Sequence, residues 1–259
     1  SSRADTETVS RDAFRRYARR AFVWLVAIGV LTAGAGVLYL GTPHHASDAS
    51  VASVEADPSV TVTERGGTYT LEPADGESTT GLVFYPGARV HPDAYVASLA
   101  PLASDANVTV VVPKLRLNLA VLDQGAASGY VTDASAETWY VGGHSLGGAM
   151  ACRYASENPE TVEGVVLYAS YCDRNISETG LTALSVTGSA DTVLDRDAYE
   201  NNRDNLPADA TTRELPLNHS QFGSYRGQRG DAPSNRSYAA AHEQLANATV
   251  AWFRAQGNA

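Results

Sequence analysis

The sequence predicts an α/β domain on a mostly parallel, doubly wound sheet, preceded by one apolar helix of membrane length. Three observations carry this reading. Strand-like runs alternate with helical patterns along most of the chain. A glycine-rich turn at residues 143–147 joins one such strand to one such helix. Residues 21–41 hold no charged side chain in 21 positions.

Residues 1–20 contain six arginines against Asp5, Glu7 and Asp12 and end in Arg15-Arg16-Tyr17-Ala18-Arg19-Arg20. At about 1.5 Å per residue, a helix over residues 21–41 spans the roughly 30 Å hydrocarbon core of a bilayer. Trp24 near one end and Tyr39 near the other suit its two interfaces. The positive-inside rule puts residues 1–20 in the cytoplasm and the following domain outside, in a single-pass protein of the cell membrane. Export with signal cleavage is the competing reading. Arg19-Arg20-Ala21-Phe22-Val23 loosely resembles a twin-arginine signal and Ala33-Gly34-Ala35 a processing site, but the apolar run exceeds a usual signal core. Residues 42–59 are small, polar and proline-punctuated, and read as a linker. The adjacent pair His44-His45 could bind a metal, but two neighbouring histidines more often are solvated, and no metal site or cofactor is expected.

The domain proper is expected over 60–259, long enough for one well-buried core. Strand-like runs occupy 61–63, 69–71, 82–85, 108–112, 138–141, 164–169, 184–187 and 212–215. The first two alternate polar and apolar residues and should pair antiparallel at one edge. Helical patterns cover 95–104, 117–127, 146–157, 198–205 and 238–254.

Residues 139–150 read Trp-Tyr-Val-Gly-Gly-His-Ser-Leu-Gly-Gly-Ala-Met. Gly143-His144-Ser145-Leu146-Gly147 is G-x-S-x-G between a strand and a helix, the context of a nucleophile elbow. Such a turn leaves no room for side chains beside the serine, hence the glycines. The alternative is a glycine-rich turn that cradles phosphate or nothing; the flanking strand and helix favour the elbow. A nucleophilic Ser145 needs a base and an orienting acid, in the order Ser, Asp/Glu, His for this context. Two histidines follow it. His219 comes just after the last strand-like run, whereas His242 sits in an alanine-rich helical pattern and reads as packing, so His219 is the expected base. Asp191, lifted beyond a strand by the turn Gly188-Ser189-Ala190, is the expected acid. Asp195 competes but reads as a helix N-cap, and Asp173 is a further alternative.

Three more segments carry a family resemblance: Phe84-Tyr85-Pro86-Gly87-Ala88-Arg89-Val90 followed by Ala94-Tyr95; Leu115-Arg116-Leu117-Asn118-Leu119-Ala120-Val121; and Asn218-His219-Ser220-Gln221-Phe222-Gly223. With the elbow, they make the chain resemble the compact, lidless dienelactone-hydrolase-like branch of the α/β-hydrolases over about residues 60–256. The chain differs from the better-known dienelactone hydrolases in carrying Ser145 where they carry cysteine. The resemblance implies an oxyanion hole made by the backbone amides of Ala88 and Leu146. It implies a hydrolase using Ser145, His219 and Asp191 on a carboxylic ester, thioester or related acyl substrate, small or lipid-like. Acyl transfer to an acceptor other than water, and a non-catalytic binding domain on the same scaffold, are the alternatives.

Between 169 and 184 only a short loop is available, too short for a lid, so the site should be open. The rim should include residues 171–179 and the loop 218–236, whose Arg226 and Arg229 suit an acidic or carboxylate-bearing ester on one reading and are solvated on the favoured one. Lys114, the one lysine, ends a strand near the expected site. The first 41 residues hold six of the 19 basic and three of the 29 acidic residues, leaving 13 against 26, a net −13 beyond them. This resembles a salt-adapted surface, since salt screens such self-repulsion. It excludes nucleic acid as a partner, because phosphate binding wants the opposite sign. Cys152 and Cys172 read as separate thiols, one down a helix and one past a strand end. Asn107, Asn175, Asn218, Asn235 and Asn247 stand in N-x-S/T sequons.

Overall fold

The computed structural model describes residues 2–76, 78–132 and 136–257, with the side chains of all but 2–16, 18, 20, 21, 33 and 35. Apart from Arg19, the arginine side chains of the basic segment lie outside the described residues. So do the side chains of Ala33 and Ala35 in the processing-site motif. The chain divides into two compact units, residues 1–42 and 43–259.

The first unit is one helix, α1 (Ser2–Gly41). Its Phe22–Gly41 stretch has a mean hydropathy of 2.1 and is long and apolar enough to cross a membrane. Phe22, Trp24, Leu25, Leu31 and Leu38 stand open on its surface. A helix with such uncovered apolar faces has two ordinary explanations, a membrane span and a signal sequence.

The second unit runs α2 (Asp48–Glu55), β1 (Val60–Arg65), β2 (Thr68–Pro73), β3 (Thr80–Tyr85), α3 (Val96–Ala106) and β4 (Val108–Val112). It continues with α4 (Ser128–Val131), β5 (Thr138–His144), α5 (Leu146–Glu157), β6 (Gly164–Tyr168), β7 (Thr182–Gly188), α6 (Arg196–Asn201), β8 (Thr211–Leu215) and α7 (Tyr238–Gln256). Among the described residues, eight strands form one sheet in the order β1-β2-β4-β3-β5-β6-β7-β8. As expected, β1 and β2 pair antiparallel at one edge, and β2 pairs antiparallel with β4. All pairs from β4 to β8 are parallel.

The sheet is covered on both faces, which is why its inner strands read as continuous apolar runs. Alternation along β3 assigns the layers. Leu82 and Phe84 join the core beneath α2, α3 and α7 with Leu99, Tyr140, Trp252 and Phe253. Val83 and Tyr85 join the opposite core, under α5, with Trp139, Val141, Met150 and Leu167.

Three expectations need correction. Residues 117–127 do not form one helix. They make 3₁₀ turns at Arg116–Asn118, Ala120–Leu122 and Gln124–Ala127 ahead of α4. Leu117 and Asn118 take φ of 50° and 55°, and an α-helix does not run through that region. Side chains fix the path instead: Asp123 accepts from the backbone and guanidinium of Arg116. The buried Tyr85 hydroxyl donates to Gln124 O at 2.7 Å and accepts from Ala127 N–H at 2.8 Å.

The stretch expected as a linker carries α2, capped by Ser47 and packed through Val54 into the core. Cys152 and Cys172 are not separate thiols but a disulfide, with Cα atoms 5.5 Å apart, inside the usual range for such a bond. Cys172 does lie past the end of β6, but the chain does not run straight on. Instead it turns at Ala169, φ 45°, and returns over α5.

Candidate active site

Ser145 sits between the end of β5 and the first residue of α5, with φ 56° and ψ −126°. That is a costly backbone for a residue with a Cβ, tolerated only where the surroundings impose it. Here they do. A Cβ on Gly147 would overlap the carbonyl oxygens of Tyr85 and Pro86, and one on Gly143 would overlap the backbone of Gly147 and Gly148. Strand, turn and helix therefore close together only with glycine at both positions. Ser145 N–H donates to Tyr168 O at 2.9 Å, and its own carbonyl accepts from Ser170 Oγ at 2.8 Å.

The same contacts bring the β3 loop to the start of α5. In that loop Gly87 N–H donates to Tyr95 Oη at 2.9 Å and Arg89 N–H to Asn118 O at 2.8 Å. The Ala88 amide between them takes no partner among the described residues. Leu146, as the first residue of α5, has an N–H with no carbonyl of its own helix to bond. Lys114 braces this loop at one remove, donating to Asn118 Oδ1 at 2.6 Å.

On the far side of β5 and β6, Asp191 follows β7 and His219 follows β8. Asp191 Oδ2 accepts from His219 Nδ1–H at 2.8 Å, with side chains 0% and 3% exposed. Asp191 Oδ1 accepts from the amides of Val193 and Leu194 at 2.8 and 3.0 Å. Burial alone would raise the Asp191 pKa, but its bonds to His219, Leu194 and Val193 outweigh it and hold the carboxyl below its ordinary value. The His219 ring lies 4.4 Å from the ring of His144, the neighbour of Ser145. Ser145 and the Asp191–His219 pair thus lie at the carboxyl ends of β5, β7 and β8, with no Ser145 Oγ–His219 hydrogen bond among the described residues.

The competing residues have other work. Asp195 caps α6, accepting from Ala198 N–H at 2.9 Å. Asp173 is ion-paired with Arg153 on α5, which lowers its pKa. His242 packs at the start of α7 with Nε2 2.9 Å from Gly223 O. Arg226 and Arg229 are exposed, Arg226 lying over the Tyr238 ring at 4.6 Å. Asn218 is buried and bonded to Ala232 O and Gln221 N, so its sequon is closed in the folded chain.

Backbone strain is gathered at this edge. Arg89 after β3, Leu117 and Asn118 after β4, Ser145 after β5 and Ala169 after β6 all have positive φ. Among described non-glycine residues, Asn107 is the one such case elsewhere, where it ends α3. A hollow of about 620 Å³ lined by Tyr199, Arg203, Pro207 and Thr212 lies apart from all of these groups. No helix forms between β6 and β7, where the chain runs as irregular loop.

Two supports escaped the sequence reading. Asp231 accepts from the amides of His219 and Ser220, both at 2.9 Å, and from Ser220 Oγ at 2.7 Å. It pins the histidine loop from a turn with no periodic signal. The second is His144, fully buried between Tyr95, His219, Phe222 and Tyr225. Tyr95 Oη accepts from Gly87 N–H and shares a hydrogen bond with His144 Nδ1, 2.9 Å away. His144 Nε2 is buried beside the His219 backbone and closes no hydrogen bond among the described residues. Burial, then the neighbouring His219, pushes the His144 pKa well below its ordinary 6.5.

The pattern that defines the alpha/beta hydrolase family matches residues 81–243. That covers β3 through the start of α7, and the chain belongs to this family. Among curated proteins no relative matches.

Proposed function

We propose that the protein is a serine hydrolase of the dienelactone-hydrolase-like branch, acting on a carboxylic ester, thioester or related acyl substrate. The observation that carries this is the strained Ser145 turn beside a buried, hydrogen-bonded Asp191–His219 pair. In this reading His219 Nδ1–H is fixed by Asp191, which leaves Nε2 unprotonated to take the Ser145 proton. Ser145 Oγ attacks the acyl carbon, and the oxyanion meets the amides of Ala88 and Leu146. His219 returns the proton to the leaving group, which departs from an acyl-Ser145. Water, deprotonated by His219, then releases the acid and restores Ser145. Substrate reaches an open edge without a lid. The Phe22–Gly41 stretch anchors the enzyme in the membrane, with the arginine-rich residues cytoplasmic and the hydrolase unit outside. The Cys152–Cys172 disulfide suits an oxidising compartment of that kind.

The test is labelling in high salt with a fluorophosphonate probe, comparing wild type with Ser145→Ala and His219→Ala. Labelling should vanish in both variants, and Ser145→Ala should lower ester turnover by about 10³-fold or more. Folded wild type that takes no label would overturn the reading in favour of a binding domain.

A further inference from the structure

Just past the apolar helix the chain is fastened to the loop that carries Ala88. His44 N–H donates to Arg89 O at 2.6 Å and His91 N–H to His44 O at 2.8 Å, a parallel bridge between His44 and Val90. The bridge sets His45 over residues 91–93. His45 Nδ1 lies 2.6 Å and His91 Nδ1 3.1 Å from the same carboxylate oxygen, Asp93 Oδ2. The two imidazoles stack with centroids 4.3 Å apart. Asp93 Oδ1 is already engaged, accepting from Ala46 N–H at 3.1 Å. Oδ2 is thus the oxygen that both imidazole Nδ1 atoms address.

Hydrogen bonds join His45 to Asp93 Oδ2 and Ala46 to Oδ1, but they do not settle His91. His91 Nδ1 faces Asp93 N–H at 3.3 Å and Asp93 Oδ2 at 3.1 Å. One ring nitrogen either accepts or donates, so one contact goes unmet whichever tautomer is present. With lone pairs on both Nδ1 atoms, three donors converge within 4.8 Å, and a cation is what such a convergence attracts. We propose that His45, His91 and Asp93 bind a divalent transition metal of the zinc type. It clamps the segment that follows the apolar helix onto the oxyanion loop.

Two imidazoles and one carboxylate form a donor set suited to zinc. Metal–ligand distances of about 2.0–2.2 Å put tetrahedral donors roughly 3.3 Å apart. The present separations of 2.6 and 3.1 Å need to open by less than an ångström. His91 and Asp93 are 15% and 14% exposed and hold the site rigid, while His45, 52% exposed, leaves the fourth position to water. The net negative surface raises the local concentration of any cation. This proposal does not depend on the hydrolytic activity of Ser145.

The experiment uses the full chain in detergent, untagged, stripped of metal and titrated with Zn²⁺ and separately with Co²⁺. The site should take about one ion per chain, with the visible absorption of tetrahedral cobalt. His91→Ala and Asp93→Asn should each weaken binding by about tenfold or more, whereas His44→Ala should leave it unchanged. Asp93→His, which keeps a donor, should bind with a shifted cobalt spectrum. Chelation by the neighbouring pair His44-His45 alone gives the opposite pattern, loss in His44→Ala and none in Asp93→Asn, and overturns the proposal. An unshifted Asp93→His spectrum, or no uptake by folded wild type, overturns it equally.

Discussion

The elbow and the histidine loop meet at one edge of the sheet but are held by different physics. The elbow is steric. Gly143 and Gly147 let backbone touch backbone, and the polar bonds it needs come from residues at the ends of neighbouring strands. The histidine loop is polar and remote. Its anchors are Asp191 on His219, Asp231 on His219 and Ser220, Gln221 on the Arg236 carbonyl and Asn218 on the Ala232 carbonyl. A steric turn has one solution, so it leaves a local signature. A loop held by distant side chains leaves none, and its failure should be graded rather than complete.

The most severe way to break the loop without touching the elbow is Asp191→Asn. The amide keeps an acceptor for Val193 and Leu194 but can no longer hold His219 in the same tautomer. Ester turnover should fall by about 10⁴-fold with the fold intact, as read by initial rates and near-UV circular dichroism. Wild-type turnover in that variant would mean another acid serves His219. On the elbow side, replacing Cys152 and Cys172 with serine opens a loop with a sequence separation of 20. By loop entropy this should lower stability by about 3 kcal/mol, measured by thermal unfolding, with turnover well below the transition little changed. Asp231→Ala is milder. It strands donors that solvent partly satisfies, so about 1–3 kcal/mol of stability should go. Turnover should drop more than KM rises, because the base loses its position rather than substrate its contacts. Equal losses in both would mean that the loop binds substrate directly.

What could be read in advance follows the same division. The inner strands were legible because buried parallel strands are apolar runs, as at Val108–Val112, and β1 and β2 because they alternate polar and apolar residues. The elbow was legible because only glycine fits beside Ser145, and His219 because chain order left one other candidate. The 3₁₀ turns over residues 116–127 were not. Leu117, Leu119, Ala120 and Val121 suit a helix, and the override comes from Asp123 and from Tyr85 on another strand. The disulfide was missed because a turn at Ala169 folds Cys172 back over α5, and no local residue announces it. The helix Asp48–Glu55 lay within a stretch whose small polar residues read as linker, although Ser47 is an N-cap and Val54 finds core to pack against.

His144 belongs to both regions, in the elbow by sequence and against the histidine loop by packing, and so gives the subtlest test. In the folded protein its pKa lies well below 6.5, whereas in the unfolded chain it titrates near its ordinary value. Between those two values the unfolded state binds the extra proton, so acid favours unfolding. The stabilisation is complete above about pH 6.5 and should decline below it by up to about 1.4 kcal/mol per pH unit. His44 and His242 are shifted the same way, so the wild-type curve alone does not isolate His144. His144→Gln can accept from Tyr95 and face the His219 carbonyl without titrating. Urea unfolding at several pH values should give two curves that diverge from near neutrality downward, the variant being flatter. Parallel curves would show that His144 takes up its proton in the folded state, and that the contact between elbow and loop is more open to water than its burial implies.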